Sequence, residues 1–197
     1  MNIFKAYSLL MVFLALIPVL NAALQVQNIL QDGSFEEWVS PTDLTYWDEI
    51  GQVTRSNDAI DGEYSVSLGS NSAVYQVVPS SPDAIHTLTF WYKLESNKEL
   101  HVLVRWLDES YNELMRWEAY TIGYSPVEWR SFSHQLLQNP PLTAYLEIRF
   151  FTPLGSLALV DNATLSPPQI QLNIEIENVE LPMALAGIKN RKDVREH

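Results

Sequence analysis

The chain has 197 residues, 24 acidic against 12 basic side chains, a formal net charge of −12 and no cysteine. This length predicts one main domain, and the acidic balance without a basic cluster argues against nucleic acid as a partner. The lack of cysteine excludes disulfides, thiolate metal sites and a cysteine nucleophile, while 6 Trp, 9 Tyr and 7 Phe argue against disorder.

The first 22 residues have the pattern of a secretory signal peptide. Lys5 precedes an apolar run from Leu9 to Leu20, and small residues follow it. We predict cleavage after Ala22 or Ala23, so that the remaining chain is secreted or displayed at the cell surface. The alternative is an uncleaved segment that holds the chain in a membrane, for which this apolar run is short.

Residues 23–166 are predicted to form one all-β domain. Turn signals such as Asp32-Gly33, Asp61-Gly62 and Asn139-Pro140 separate short runs rich in β-branched and aromatic residues. No helical pattern longer than about two turns interrupts them. The spacing predicts an antiparallel sandwich or barrel rather than alternating strands and helices.

Apolar alternation gives three of these strands a buried and an outward side. The side chains predicted to point inward are Leu88, Phe90, Tyr92, Leu94, Val102, Val104, Trp106, Leu146, Ile148 and Phe150. The outward positions combine aromatic and charged residues, so a functional surface is expected there.

Residues 167–197 are predicted to be a linker, one strand and a charged tail. The linker follows from Ser166-Pro167-Pro168, and the segment Ile170–Glu177 alternates apolar and polar residues without a break. This strand could be an extra edge strand of the same domain or the start of a second module. It could also be donated to a neighbouring copy, giving a homo-assembly by β-augmentation.

Several phrases resemble one known family, in matching order. The segment 28–36 resembles an opening strand "N-L-x-x-G-x-F-E", the segment 62–68 resembles "G-x-Y-S-x-x-L", and the segment 157–165 resembles a closing "v-x-v-D-D-v-x-L" with Asn162 in place of the second Asp. The family is that of carbohydrate-binding modules grouped as families 4 and 9. The resemblance covers about Asn28–Leu165, although the glycine of a D-x-x-G turn is absent after Asp108.

The resemblance implies a galactose-binding-domain-like jelly roll that binds polysaccharide or another glycan without catalysis. It also implies a structural calcium ion held by Glu36, near the first strand, and Asp161, in the closing strand. Calcium suits these groups because it prefers hard oxygen ligands. In the alternative interpretation, Glu36 is a surface carboxylate and Asp161 bonds backbone amides in a turn.

A ligand face is expected where aromatic rings meet charged side chains, since sugars stack on rings and their hydroxyl groups bond to charged groups. The candidate ligand-binding residues are Trp91, Arg105, Glu147, Arg149, Tyr75, Trp117 and Tyr120. Trp117 and Tyr120 have opposite parity in one strand, so at most one of them points to that face. In the alternative, Trp91 only covers the sheet and the charged residues form a surface ion-pair cluster. Trp47, Trp106 and Trp129 are predicted to be core residues.

Enzyme motifs are absent from the sequence, which has no G-x-S-x-G, H-E-x-x-H or phosphate-binding loop. The only carboxylate pair that we nominate for a glycoside hydrolase is Glu118 with Glu147. We therefore predict a binding module. The alternatives are a cell-surface assembly subunit that pairs through residues 170–177, and a small jelly-roll hydrolase.

Overall fold

The computed structural model describes residues 27–95, 97–123 and 127–167, and their regular structure consists of β-strands. The predicted signal peptide and the predicted strand Ile170–Glu177 lie outside these residues. A membrane-spanning helix is not found in the described ranges. The strands in chain order are β1 (Trp38–Ser40), β2 (Asp43–Leu44), β3 (Asp48–Ile50), β4 (Val53–Ser56), β5 (Ser65–Leu68), β6 (Ser72–Pro79), β7 (Thr87–Leu94), β8 (Glu99–Leu107), β9 (Glu113–Ile122), β10 (Arg130–Gln135), β11 (Tyr145–Thr152) and β12 (Ala158–Leu165).

Two five-stranded antiparallel sheets form the sandwich. The front sheet has the order β3-β6-β11-β8-β9, and the back sheet has the order β10-β7-β12-β5-β4. β1 and β2 form a separate two-stranded ribbon. β5, β6 and β7 alternate between the sheets, so the chain crosses repeatedly from one to the other, as in a jelly roll. The predicted jelly-roll sandwich is confirmed.

The core lies between the sheets and follows the predicted alternation. All ten side chains that we expected to point inward are buried, with exposed fractions between 0 and 8%. Phe90 of the back sheet meets Phe150 of the front sheet edge to face, at 4.8 Å between ring centroids. Full burial of one such ring contributes about 1.5–3 kcal/mol, so these contacts fix the two sheets face to face.

The first described residues run beside the closing strand. Asn28 donates its side-chain N–H to Ala163 O (2.9 Å) and accepts the N–H of Leu165 (2.9 Å). Gly33 also reaches this strand, because its carbonyl accepts the N–H of Ala163 (2.7 Å). A Cβ at Gly33 would lie 1.9 Å from Ala163 O, so glycine is required for this approach.

Candidate functional site

A row of charged side chains crosses the outer surface of the front sheet. Glu147 in β11 lies opposite Arg105 in β8, and Arg105 lies opposite Arg116 in β9. Only 3% of the Glu147 side chain is exposed, although it points away from the core. Arg105 Nη2 donates to Glu147 Oε2, and Arg149 Nη2 lies 2.8 Å from Glu147 Oε1. Two guanidinium groups therefore neutralise one buried carboxylate.

The hydrogen bond to Glu147 raises the pKa of Arg105, and the Glu147 charge adds to that rise, so this guanidinium stays charged at every relevant pH. Glu113 lies on the other side of Arg105, at 3.7 Å, and forms two 2.7 Å bonds with Arg116. The row thus alternates base and acid, from Arg149 through Glu147, Arg105 and Glu113 to Arg116, with three arginines against two glutamates.

Three buried polar atoms of this row have no hydrogen-bond partner within the described part of the chain. They are Arg105 Nε, Arg149 Nε and Glu147 Oε1, whose approach to Arg149 is close but poorly aligned. Leaving such atoms unsatisfied costs about 1–3 kcal/mol each, so native proteins normally give them a partner. Because these atoms are covered by their neighbours, the parts of the row open to a ligand are the exposed portions of the Arg105 and Arg149 side chains, which are 28% and 25% exposed.

Aromatic rings flank the charged row at both ends. Towards one end, Tyr75 packs under the Arg149 guanidinium (4.6 Å), and Tyr120 lies 5.8 Å from the His101 ring with 63% of its side chain exposed. At the other end, Tyr111 and Tyr145 stack at 4.8 Å with nearly parallel planes. Along β11, Tyr145 lies six positions from Phe151, which pairs with His101, and this corresponds to about 20 Å. We call this surface, with its charged row and both aromatic ends, the front face.

The structure brings together five of the seven candidate ligand residues. Tyr75, Arg105, Glu147, Arg149 and Tyr120 all lie on the front face, as their pairing register shows. Their position is confirmed, and their role in binding stays a prediction.

Trp117 and Trp91 are the two exceptions. Trp117 points inward and stacks on His134 at 4.5 Å, which agrees with its opposite parity to Tyr120. Trp91 lies in β7 of the back sheet, between Ser131 and Asp161, so its expected place beside Arg105 was wrong. Alternation shows that a side chain points outward, but both sheets have an outer surface.

Trp129 also differs from its prediction as a core residue. It is half-buried outside the sandwich, where its Nε1–H donates to Asp58 Oδ1 (3.0 Å). Lys93 donates to the other oxygen of Asp58 (2.6 Å), and this bond lowers the pKa of Asp58. Polar loop contacts, which alternation does not describe, hold this ring.

Sequence reasoning missed Tyr111 as a site residue. Tyr111 occupies the position of the missing turn glycine and has φ +62°, in the left-handed region. This conformation is unfavourable for a side chain with a Cβ, and stacking on Tyr145 compensates for it. The sequence signal was the replacement of the expected turn glycine by Tyr111. Its ring lies at the edge of the front face.

Both carboxylates of the nominated hydrolase pair lie on the front face, but β8 separates their strands. Glu118 bonds to His101 (3.0 Å), and Glu147 is enclosed by two guanidinium groups. The nominated pair therefore shares one face, but its strands are not neighbours and Glu147 is occupied by two ion pairs.

His101 gives the front face a dependence of stability on pH. Burial alone would lower the pKa of His101, but the hydrogen bonds that the ring donates to Glu118 and Glu99, together with their charges, outweigh burial and raise this pKa above 6.5. A raised pKa means that folding stabilises the charged ring. This stabilisation is complete below the unfolded pKa of about 6.5 and is lost as pH rises through the folded value.

We therefore expect His101→Gln to destabilise the protein more at about pH 5.5 than at about pH 9. Urea unfolding of both proteins at the two pH values measures this difference. The comparison cancels His86, whose pKa burial lowers. An equal loss at both pH values would contradict the role of the charged ring.

The two predicted calcium ligands contact a loop between β4 and β5. Glu36 Oε1 accepts the N–H groups of Glu63 (3.0 Å) and Tyr64 (2.9 Å). Asp161 Oδ2 accepts those of Ile60 (2.7 Å) and Asp61 (3.1 Å). We call these two carboxylates with residues 60–64 the carboxylate clamp.

Close packing holds the clamp together. Asp161 is fully buried, and its Oδ1 accepts the N–H of Asn162 (2.6 Å). Burial raises the pKa of Asp161, and its N–H donors offset only part of that rise. Gly62 has φ +70°, and a Cβ there would lie 2.3 Å from Glu36 Oε1. Glycine is therefore the residue that lets the loop close over this carboxylate.

The donor set of the clamp does not fit a calcium ion in this arrangement. Calcium needs six to eight oxygens, and no group of three or more acidic or histidine side chains that could hold a metal occurs in the described ranges. The clamp oxygens instead receive N–H groups, which point the positive ends of their dipoles at the site. The expected calcium stays a prediction from the sequence that these contacts do not support.

Comparison with known proteins gives a fold and no family. No protein-family model matches this chain, and no curated protein matches it. Among solved structures, the tandem CBM22-1–CBM22-2 of Paenibacillus barcinonensis Xyn10C matches with a TM-score of 0.55, 16% identity and 75% of this chain covered. The fold is that of a carbohydrate-binding module.

Two further jelly-roll matches agree with this assignment. A family 16 carbohydrate-binding module has a TM-score of 0.50 and 16% identity, covering 71% of this chain and all of that module (100%). The enzymatically active domain of bacteriophage CBA120 tailspike protein 4 has a TM-score of 0.54 and 20% identity over 71% of this chain. This chain spans 21% of the tailspike domain and 48% of the tandem module. These matches show the fold of this chain, and they do not identify a ligand.

Proposed function

We propose that this protein is an exported, non-catalytic carbohydrate-binding module, and that the front face is its ligand-binding surface. The observation that carries the proposal is that the guanidinium groups held by the buried Glu147 lie on an outer sheet surface between exposed aromatic rings, Tyr120 on one side and Tyr111 on the other. The fold supports it, since matched structures of this fold are named as carbohydrate-binding modules. The signal-peptide pattern of residues 1–22 supports export.

The chemistry of the front face suits a polymer of neutral sugars. Hydroxyl groups can accept hydrogen bonds from the exposed N–H groups of the Arg105 and Arg149 guanidinium groups, whose side chains are 28% and 25% exposed. The apolar faces of sugar rings can stack on Tyr120 and on the Tyr111–Tyr145 pair. The three arginines of the row share Glu147 and Glu113, and two more carboxylates, Glu118 and Glu99, lie beside His101 on the same face. The face therefore has no surplus positive charge to attract an acidic polymer.

Affinity electrophoresis of the mature domain through gels that contain soluble xylan, galactan, mannan or mixed-linkage glucan tests this proposal. We expect one of these polymers to retard the protein, and Tyr120→Ala to weaken its binding about 30-fold, the equivalent of about 2 kcal/mol for one aromatic binding contact. Tyr120 is 63% exposed, so this variant should fold normally.

Trp91→Ala is the matched control, because it removes an aromatic side chain from the opposite sheet. It should leave retardation unchanged. Retardation that is lost with Trp91→Ala and kept with Tyr120→Ala would move the ligand to the back sheet. Failure of every neutral polymer to retard the wild type would contradict the proposed function.

A further inference from the structure

A chain of hydrogen bonds runs beneath one end of the front face. Trp106 Nε1–H donates to Asn139 Oδ1 (2.6 Å), and Asn139 Nδ2 donates to Ser80 Oγ (2.7 Å). Ser80 Oγ lies 2.9 Å from His86 Nε2, and His86 Nδ1 lies 2.7 Å from Ser166 O. We call these five residues the His86 relay. Because His86 and Asn139 are only 1% and 2% exposed, the relay must satisfy its own polar groups.

The two ends of the His86 relay fix its direction. An indole N–H can only donate, and a carbonyl oxygen can only accept. Since Ser166 O accepts, His86 carries its proton on Nδ1, and its Nε2 is an acceptor. The Ser80 hydroxyl therefore donates to Nε2, while its oxygen accepts the N–H of Asn139. Every donor points the same way along the relay, and His86 is a neutral imidazole with one defined tautomer.

A second proton on His86 does not fit the relay. The new Nε2–H would face the Ser80 hydroxyl, whose own proton would have to turn away and lose its acceptor. A buried imidazolium would also need a negative partner to offset the loss of its hydration. The structure gives it none among the described residues, since both ring nitrogens face uncharged oxygens.

The segments around the ring carry little charge. They are residues 79–85, residues 136–144 and residues 163–167, and their only charged side chain is that of Asp83. Asp83 accepts the side-chain N–H of Gln138 (3.1 Å) at the exposed surface. Burial accordingly lowers the pKa of His86, and the bond to Ser166 offsets part of that fall.

The His86 relay braces the Tyr145 end of the front face. Tyr145 pairs with the residue that follows Trp106 in β8 and with the residue that precedes Ser80 in β6. Ala144, next to Tyr145, accepts the N–H of Ser80 (2.8 Å) and donates its own N–H to the last carbonyl of β8 (2.8 Å). The relay thus joins the ends of β6 and β8 on both sides of the strand that holds Tyr145 against Tyr111.

We propose that the His86 relay makes glycan binding by the front face sensitive to acid, because protonation of His86 opens the relay and loosens the Tyr111–Tyr145 pair. This inference rests on the proposed function. In the opened relay the ring is hydrated, with a pKa of about 6.5. Below that pH the open form binds a proton that the closed form does not, so opening becomes up to about tenfold easier for each pH unit. The gain ends once the pH has passed the lowered pKa of the closed form.

Amide hydrogen exchange of the mature chain, corrected for the intrinsic rate at each pH, tests the opening without a ligand. We expect the protection of the Ala144 amide to fall at least about tenfold between about pH 7 and pH 5, and that of the Ile148 amide in the middle of β11 to change less. His86→Asn can still donate to Ser166 O but cannot take up a proton, so its protection should not depend on pH in this range. His101→Gln is the matched control and should keep the fall. Equal Ala144 protection at both pH values in the wild type would overturn the proposal.

The tautomer of His86 gives a test that needs no variant. Nitrogen NMR shifts of the ring should show a neutral imidazole with its proton on Nδ1 at about pH 7, since Ser166 O can only accept. A ring that carries its proton on Nε2, or that is charged at this pH, would overturn the direction of the relay and the proposal with it.

Affinity electrophoresis at about pH 7 and pH 5 tests the effect on binding, with the polymer that retards the protein and a polymer-free gel as reference at each pH. We expect binding to weaken about tenfold at the lower pH, as the exchange result does. His86→Asn should lose this dependence, and His101→Gln should keep it. Equal affinity at both pH values would overturn the proposal even if the Ala144 amide loses protection. Failure of every polymer at both pH values would instead contradict the proposed function, and the inference would fall with it.

Discussion

Replacement of Glu147 by alanine is expected to lower the free energy of unfolding by about 3–5 kcal/mol. The Glu147 carboxylate is 3% exposed and lies between the guanidinium groups of Arg105 and Arg149. Its removal leaves the two positive charges of Arg105 and Arg149 uncompensated in a partly desolvated row. This cost is larger than the net stabilisation that the intact ion pairs provide. Thermal unfolding should show a fall in Tm of about 10 °C.

Glu118→Ala is the matched control for this prediction. Glu118 lies on the same face and bonds to one histidine, but 52% of its side chain is exposed. Exposed ion pairs contribute about 0–1 kcal/mol, so this variant should melt close to the wild type. Equal falls in Tm for Glu118→Ala and Glu147→Ala would contradict the prediction, because they would show that burial of Glu147 does not increase the cost of its removal.

A double-mutant cycle separates the effect of charge from that of packing. If the stranded arginines cause the loss, Arg149→Ala should cost less in the Glu147→Ala background than in the wild type. If only packing is lost, the two changes should add. The same cycle bears on the proposed function, because Glu147 contacts both guanidinium groups of the proposed ligand-binding surface.

The sequence predicts which side of each strand is buried, because alternation depends only on the strand itself. Phe90, Trp106 and Ile148 all lie in the core as expected. Which sheet a strand joins depends on crossings between distant segments, and this is why Trp91 was placed with Arg105 although the two lie in opposite sheets.

The candidate site residues divide in the same way. Arg105, Glu147 and Arg149 were grouped correctly because β8 and β11 are neighbours and share one parity. Tyr111 was missed because a loop, not a strand, turns it onto Tyr145. Glu36 and Asp161 were predicted to hold calcium, and in the structure their partners are backbone N–H groups of one loop. A sequence does not show where such groups point.

The carboxylate clamp leads to the second large effect. Asp161→Ala is expected to lower the free energy of unfolding by about 3 kcal/mol, because it removes charge-assisted bonds from the N–H groups of Ile60 and Asp61. Asp161→Asn keeps one acceptor oxygen and should lose clearly less. Thermal melts of the two variants beside the wild type give both values.

Chelation decides whether these carboxylates act directly or through a metal. Since Asp161 already contacts the loop that a calcium ion would hold, the Tm of the wild type should be the same in excess EDTA and in millimolar calcium. A bound calcium would add stability that rises with its concentration. It would also make Asp161→Asn as damaging as Asp161→Ala, because both remove the charge that calcium needs.

A fall in the wild-type Tm with EDTA that is absent from both variants would support the predicted calcium site. An unchanged melt together with the graded loss from Asn to Ala would show that direct bonds from the carboxylate hold the loop.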